Sequence, residues 1–142
     1  MRAEASRELD ATREAVWSFI AEPLHLADWW PGISAVRPDR RGFAPGARWE
    51  IVGGPQPSFF RSSAASSMLV VKAIEPYERF SWTFLQQRLE VEVRLRVLSP
   101  DRTLATVAVQ GPWRPEALGR PRALPRHALA RLHALVQTAA RL

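Results

Sequence analysis

From Arg79 to Gln110 apolar and polar residues alternate with few breaks. Phe80, Trp82 and Phe84 are followed by Val91, Val93, Leu95 and Val97, with Ser81, Thr83, Glu90, Glu92, Arg94 and Arg96 between them. A period of two over this length predicts antiparallel strands with one dry and one wet face. Turn residues then set a register. Gln86-Gln87 as a tight turn places Phe84 opposite Leu89, Trp82 opposite Val91 and Phe80 opposite Val93. Pro76-Tyr77 as the preceding turn places Val71 opposite Trp82 and Leu69 opposite Phe84. Pro100-Asp101 as the following turn places Val97 opposite Leu104, Leu95 opposite Thr106, Val93 opposite Ala108 and Val91 opposite Gln110. Ala73 joins the same inward set, while Lys72, Glu90, Glu92, Arg94 and Arg96 collect on the wet face.

The rest of the chain shows weaker periodicity. Ala3 to Leu9 predicts a short edge strand, and Asp10 or Thr12 can cap the helix that follows, in which Val16, Phe19 and Ile20 share a face. After Pro23, Leu24 to Trp30 predicts a second short helix, stopped by Pro31-Gly32. Ile33 to Pro38 is a strand, and Arg40 to Gly46 a turn region. Ala47 to Val52 is a strand with Ala47, Trp49 and Ile51 on one side. Gly53 to Ser67, rich in Gly, Pro, Ser and Ala, is a loop. Met68 to Ile74 and Thr103 to Gln110 complete the strands.

The last stretch, Arg122 to Leu142, changes period. Leu124, Ala128, Leu129, Leu132, Leu135, Val136 and Ala139 fall on one helical side, with His127, Arg131, Thr138 and Arg141 opposite. Proline is tolerated near a helix start, so Pro125 marks where this helix is expected to begin. One dry sheet face and one long amphipathic helix predict an α+β fold: a curved antiparallel sheet wrapped around the C-terminal helix, with room between them for a ligand.

Composition adds limits. The 142 residues, 46% hydrophobic and 24% charged, suit a single soluble domain spanning residues 1–142. There is no cysteine, which removes disulfides and thiolate chemistry. The apolar runs are too short to cross a membrane, and the charged N-terminus is not a signal peptide, so a cytoplasmic location is expected. The net charge is +6. The excess lies at the C-terminal end, where Arg114 to Leu142 holds six arginines and one acid. A solvated arginine face accounts for it; RNA, a membrane surface or an anionic ligand are the other readings. Arg141, near the helix end, also suits the helix dipole.

Candidate chemistry is sparse. His25, His127 and His133 do not make a metal set, since the last two point apart on the helix. No Gly-rich phosphate loop or serine nucleophile elbow is present, and neither a metal nor a cofactor is implied. Glu90 and Glu92 belong to the wet face. The inward register gives Thr106 and Gln110 another meaning: a dry core has little use for them, but a cavity uses a few such groups to orient an apolar ligand. His133, at the edge of the helix's apolar arc, is the one candidate for proton transfer. Of the six tryptophans, Trp49 and Trp82 point inward and offer rigid walls. The cavity candidates are therefore Trp49, Val71, Trp82, Phe84, Val91, Thr106, Gln110, Leu129 and His133.

The order strand, two short helices, six strands, long helix resembles the START-related (SRPBCC) superfamily, which includes polyketide cyclases/dehydrases, lipid-transfer domains and pollen-allergen-like proteins. The likeness rests on Asp10 to Trp17, Trp30-Pro31-Gly32-Ile33, Gly42 to Gly46, Ile74 to Trp82 and the terminal helix. It implies a helix-grip fold with a cavity for hydrophobic small molecules between sheet and helix. The superfamily has no common catalytic motif, so no catalytic residue carries over. Three functions are expected in order: binding of a lipid, aromatic or polyketide-like ligand; a cyclase/dehydrase reaction using His133; or an interaction with RNA or an anionic membrane through the C-terminal arginines.

Overall fold

The computed structural model describes residues 1–53, 66–112 and 120–140. Most of the Gly53–Ser67 loop, Trp113, Arg114 and Arg141 lie outside the described residues, as do the side chains of Thr138 and Ala139. In chain order the elements are β1 (Arg2–Leu9), α1 (Arg13–Ile20), a 3-10 turn (Pro23–His25), α2 (Leu26–Trp29), β2 (Ile33–Pro38), β3 (Arg48–Gly53), β4 (Ser66–Glu75), β5 (Arg79–Phe84), β6 (Leu89–Ser99), β7 (Arg102–Gln110) and α3 (Arg120–Ala140). The seven strands form one antiparallel open sheet in the order β1-β7-β6-β5-β4-β3-β2. With α3 packed on one face, this is the helix-grip arrangement.

Local chemistry explains the element ends. Thr12 caps α1, its Oγ1 accepting from the Ala15 N–H at 3.1 Å. The β4–β5 connection is a turn in which the Glu78 N–H donates to the Glu75 carbonyl at 2.9 Å. Pro76 occupies its second position, and Tyr77, at φ 67°, takes the third, the positive-φ place of a type II turn. The β5–β6 register is the one expected, with Phe84 opposite Leu89, Trp82 opposite Val91 and Phe80 opposite Val93.

Two β-bulges change the other registers. The β4–β5 turn spans one residue more than a two-residue turn, so Ile74, not Ala73, pairs with Phe80. An irregularity at Lys72 then restores the expected Val71–Trp82 and Leu69–Phe84 pairs. The β6–β7 turn is correctly placed, with Ser99 opposite Arg102, but an irregularity at Leu98 sets Val97 opposite Thr103. From there every β7 residue is one position off the expectation: Leu95 faces Ala105, Val93 faces Val107 and Val91 faces Val109. Because side chains alternate, a one-residue slip exchanges the faces. Ala105, Val107 and Val109 are the inward β7 residues, each 0% exposed. Leu104, Thr106, Ala108 and Gln110 belong to the outer face. Val97, expected in the core, is 50% exposed.

The C-terminal helix begins earlier than expected. It starts at Arg120 and carries Pro125 inside it. The ring removes the hydrogen bond to the Pro121 carbonyl but is itself buried, as is Leu124 beside it. The inward face is the one read from the sequence, with Ala128, Leu129, Leu132 and Val136 at most 2% exposed. The helix lies along β1 and β7, at one side of the sheet, and touches α2. The inner face of β3–β5 is covered largely by aromatic rings.

Candidate ligand site at the tryptophan cluster

Trp29 and Trp30 are adjacent, and adjacent residues on an α-helix diverge by about 100°. Both reach the core because α2 ends between them. Trp29 is its last residue, while Trp30 is extended at φ −89°, ψ 127°. Pro31-Gly32 follows, with Gly32 at φ 87°. Trp82 rises to meet them from β5. Centroid separations are 5.8 Å for Trp29–Trp30, 6.1 Å for Trp29–Trp82 and 5.4 Å for Trp30–Trp82, all edge-on. Phe84 flanks Trp30 at 5.9 Å and Trp82 at 6.0 Å. The three indoles are each 0% exposed, and none of their buried Nε1 atoms has a hydrogen-bond partner.

A fourth tryptophan, on β3, differs. Trp49 is also 0% exposed, but its Nε1–H donates to the Gly42 carbonyl at 2.8 Å. The loop supplying that carbonyl is clamped by Asp39, whose carboxylate accepts from the Arg48 N–H at 2.9 Å and the Arg41 N–H at 3.0 Å. The backbone bond from Arg48, with those from Arg41 and Gly42 and the charge of Arg41, holds the Asp39 carboxyl below the usual 3.8 against a smaller desolvation effect. Phe43, in the same loop, packs on Phe80 at 4.7 Å and Trp17 at 5.7 Å.

Among the expected cavity residues, Trp49, Val71, Trp82, Phe84, Val91 and Leu129 all face the interior and are at most 1% exposed. The expected space between sheet and helix is occupied on this side by packed rings. Thr106 and Gln110 do not face it. The bulge at Leu98 turns Thr106 outward, where its hydroxyl meets that of Ser6 at 2.8 Å. Gln110 is exposed, opposite Glu90. His133 is half-buried at the seam between α3 and β1, where the Arg7 guanidinium donates to its Nδ1 at 3.3 Å. Trp29 and Trp30 were not among the expected wall residues. Their signal was a Trp-Trp pair directly before Pro31-Gly32, where a helix must stop.

A hollow of about 430 Å³ lies on the opposite, wet face of the sheet. Its floor is Ser81, Thr83 and Ala108, and Lys72, Glu90, Glu92, Gln110 and Arg2 stand around it. Burial pushes the Glu92 carboxyl up, but hydrogen bonds and charge from Arg94 and Arg79 outweigh this and hold it below the usual 4.5. Among the described residues no three acids, histidines or cysteines are placed to hold a metal ion, and no helix is long and apolar enough to cross a membrane.

A family model described as "Activator of Hsp90 ATPase homolog 1-like protein" matches residues 10–130. No curated protein matches the sequence. Solved structures do match in fold. A START superfamily protein from Mycobacterium smegmatis is 16% identical with a TM-score of 0.74, over 97% of this chain and 98% of that one. A Nitrosospira multiformis protein is 18% identical with a TM-score of 0.73, over 100% of both chains. A Thalictrum flavum norcoclaurine synthase point mutant, in complex with a transition-state analogue, is 13% identical with a TM-score of 0.70, over 99% of this chain and 96% of that one.

Proposed function

The chain belongs to the activator of Hsp90 ATPase homolog 1-like family and has a START-type fold. From that premise we propose that it binds a small, mostly apolar molecule against Trp29, Trp30 and Trp82, on the inner face of the sheet. The observation that carries this reading is the three buried indole N–H groups without acceptors. Leaving a buried donor unpaired costs about 1–3 kcal/mol, and folded proteins pair nearly all such groups. Three in one cluster suit a flat, apolar ligand that brings one or more hydrogen-bond acceptors, such as a lipid carbonyl or an aromatic ketone. Because the rings are closed over, binding requires α2 to move off β5.

Binding is favoured over a cyclase/dehydrase reaction. Such a reaction needs a proton-transfer group within hydrogen-bond reach of the substrate. Among the described residues the buried polar side chains are Ser67 and Thr103, neither of which titrates in the useful range. His133 is engaged with Arg7 at the α3–β1 seam.

The test is thermal unfolding with a naphthoquinone, an anthraquinone and a C16 fatty acid, followed by tryptophan emission. A ligand at 100 times its Kd stabilises the fold by about 2.7 kcal/mol, a rise of several degrees in Tm, and changes the tryptophan emission. A protein whose Tm and emission are unmoved by all three up to their solubility limits does not have this function.

A further inference from the structure

The ion pairs resolved among the described residues lie on the sheet. Arg2 with Glu4, Arg37 with Glu50, Arg79 with Glu75 and Glu92, Arg94 with Glu92, and Arg102 with Glu8 and Asp10 are all in contact. The arginines of α3 are different. Arg122, Arg126 and Arg131 are exposed, and no ion pair or hydrogen bond is resolved for any of them. There is no acidic residue from Arg120 to Ala140 to relieve them. Asp10, at the β1 end, is already held by Gln137 at 2.7 Å and by Arg102.

This placement works against the helix itself. Arg122 and Arg126 stand at i and i+4, a spacing at which like charges repel. Arg120 and Arg122 also sit in the first turn, which has no acid and where the helix dipole disfavours cations. A local rule broken with no compensation among the described residues points to a use outside them.

We propose that the exposed face of α3 docks on an anionic lipid surface. Arg122 to Arg131 spans about 14 Å of helix, a length suited to lying along a bilayer. Exposed Ala130 lies on the arc between them, so guanidiniums can reach headgroups while the helix backbone stays close. The one ring on the described part of this helix face is the exposed His127 imidazole, and it carries no Phe, Tyr or Trp, so the surface offers single-stranded nucleic acid at most one stacking platform. The association is weak and salt-dependent: each arginine near a charged bilayer contributes about a fivefold gain in binding.

The inference stands apart from the ligand reading, and either can fail alone. Its test is cosedimentation of the intact protein with phosphatidylcholine vesicles, with and without 30 mole per cent phosphatidylglycerol, a composition of roughly the anionic content that gives a strong surface potential. Binding is expected only to the anionic vesicles and is expected to fall steeply as salt is raised. Replacing Arg122, Arg126 and Arg131 together by Gln should lower partitioning about 100-fold without lowering Tm, since it removes repulsion from an exposed face. Equal binding to neutral vesicles, unchanged binding of the triple variant, or tighter retention of polyuridylate than of vesicles at the same salt would each overturn the proposal.

Discussion

Trp49 and Trp82 differ in one respect. Both lie on the inner face of the sheet, both are 0% exposed, and both pack on Phe80, at 6.0 and 4.8 Å. Trp49 donates its indole hydrogen to Gly42, in a loop that Asp39 holds by two backbone bonds. Trp82, with Trp29 and Trp30, has no acceptor. Burial is the same at both ends of this row of rings and each end packs on other rings, so neither property tells a core from a site. Hydrogen-bond completeness does. The Trp49 end is finished by its own chain, and the Trp82 end is finished only if something else supplies an acceptor.

The sharpest way to break this comparison is to replace each indole by phenylalanine. Both variants lose ring volume, at a comparable cavity cost. Trp49→Phe also leaves the part-buried Gly42 carbonyl without its donor, whereas Trp82→Phe removes a donor that had no partner. Trp49→Phe should therefore cost about 2–4 kcal/mol and Trp82→Phe roughly half of that, measured by urea denaturation of the unliganded protein. Equal losses would mean that the Trp82 indole is satisfied after all, for example by pointing its N–H at a neighbouring ring, which recovers part of a hydrogen bond.

Asp39 gives the next effect, smaller because the side chain is exposed. Its folded carboxyl titrates below the usual 3.8, chiefly through the Arg48 N–H. A group whose folded pKa is depressed contributes stability that is present above its unfolded pKa and lost as pH falls through the folded one. Asp39→Ala should lower Tm at pH 6, and the gap from the parent should close as pH drops below about 3.8. Because Asp39 holds the loop that completes Trp49, the variant should disturb the surroundings of Trp49 and leave any ligand-induced rise in Tm unchanged. A loss of stability that is the same at pH 6 and pH 3 would show that the carboxylate charge is not what clamps the loop.

The fold was largely legible, and the site only in part. Alternation from Phe80 to Val97 and the Gln86-Gln87 turn were enough to set the β5–β6 register. The β7 face was not, since a bulge at Leu98 leaves no mark in the pattern: Leu104 and Ala108 are apolar enough to pass as core, and Thr106 and Gln110 followed them. The Pro76-Tyr77 turn was misjudged by one residue, yet the Lys72 irregularity cancelled the error before Val71. Trp82 was read as inward from its alternation. Trp29 and Trp30 were missed because helical periodicity allows only one of two neighbours to face the core, and the end of α2 between them is a matter of backbone geometry. Whether an indole has an acceptor depends on how a neighbouring loop folds, as Gly42, seven residues before it, does for Trp49, and no residue pattern encodes it.

The smallest expected effect is a control on the criterion itself. Thr83 neighbours Trp82 but points to the wet face, in the floor of the outer hollow, and its Oγ1 is buried without a partner. Valine has nearly the same shape and the same preference for strands. If the hydroxyl is unpaired, Thr83→Val removes a desolvated polar atom at no cost in packing and should raise stability by about 0.5–1 kcal/mol. A destabilised variant would mean that the hydroxyl is bonded to ordered water in the hollow. The same account would then have to be tested for the three indoles. There the answer can differ, because Thr83 borders an open hollow on the wet face and the tryptophans are closed off from solvent. A stabilised Thr83→Val together with a nearly tolerated Trp82→Phe would establish unpaired groups on both faces of β5, of which those on the inner face are closed off from solvent and fit the proposed ligand.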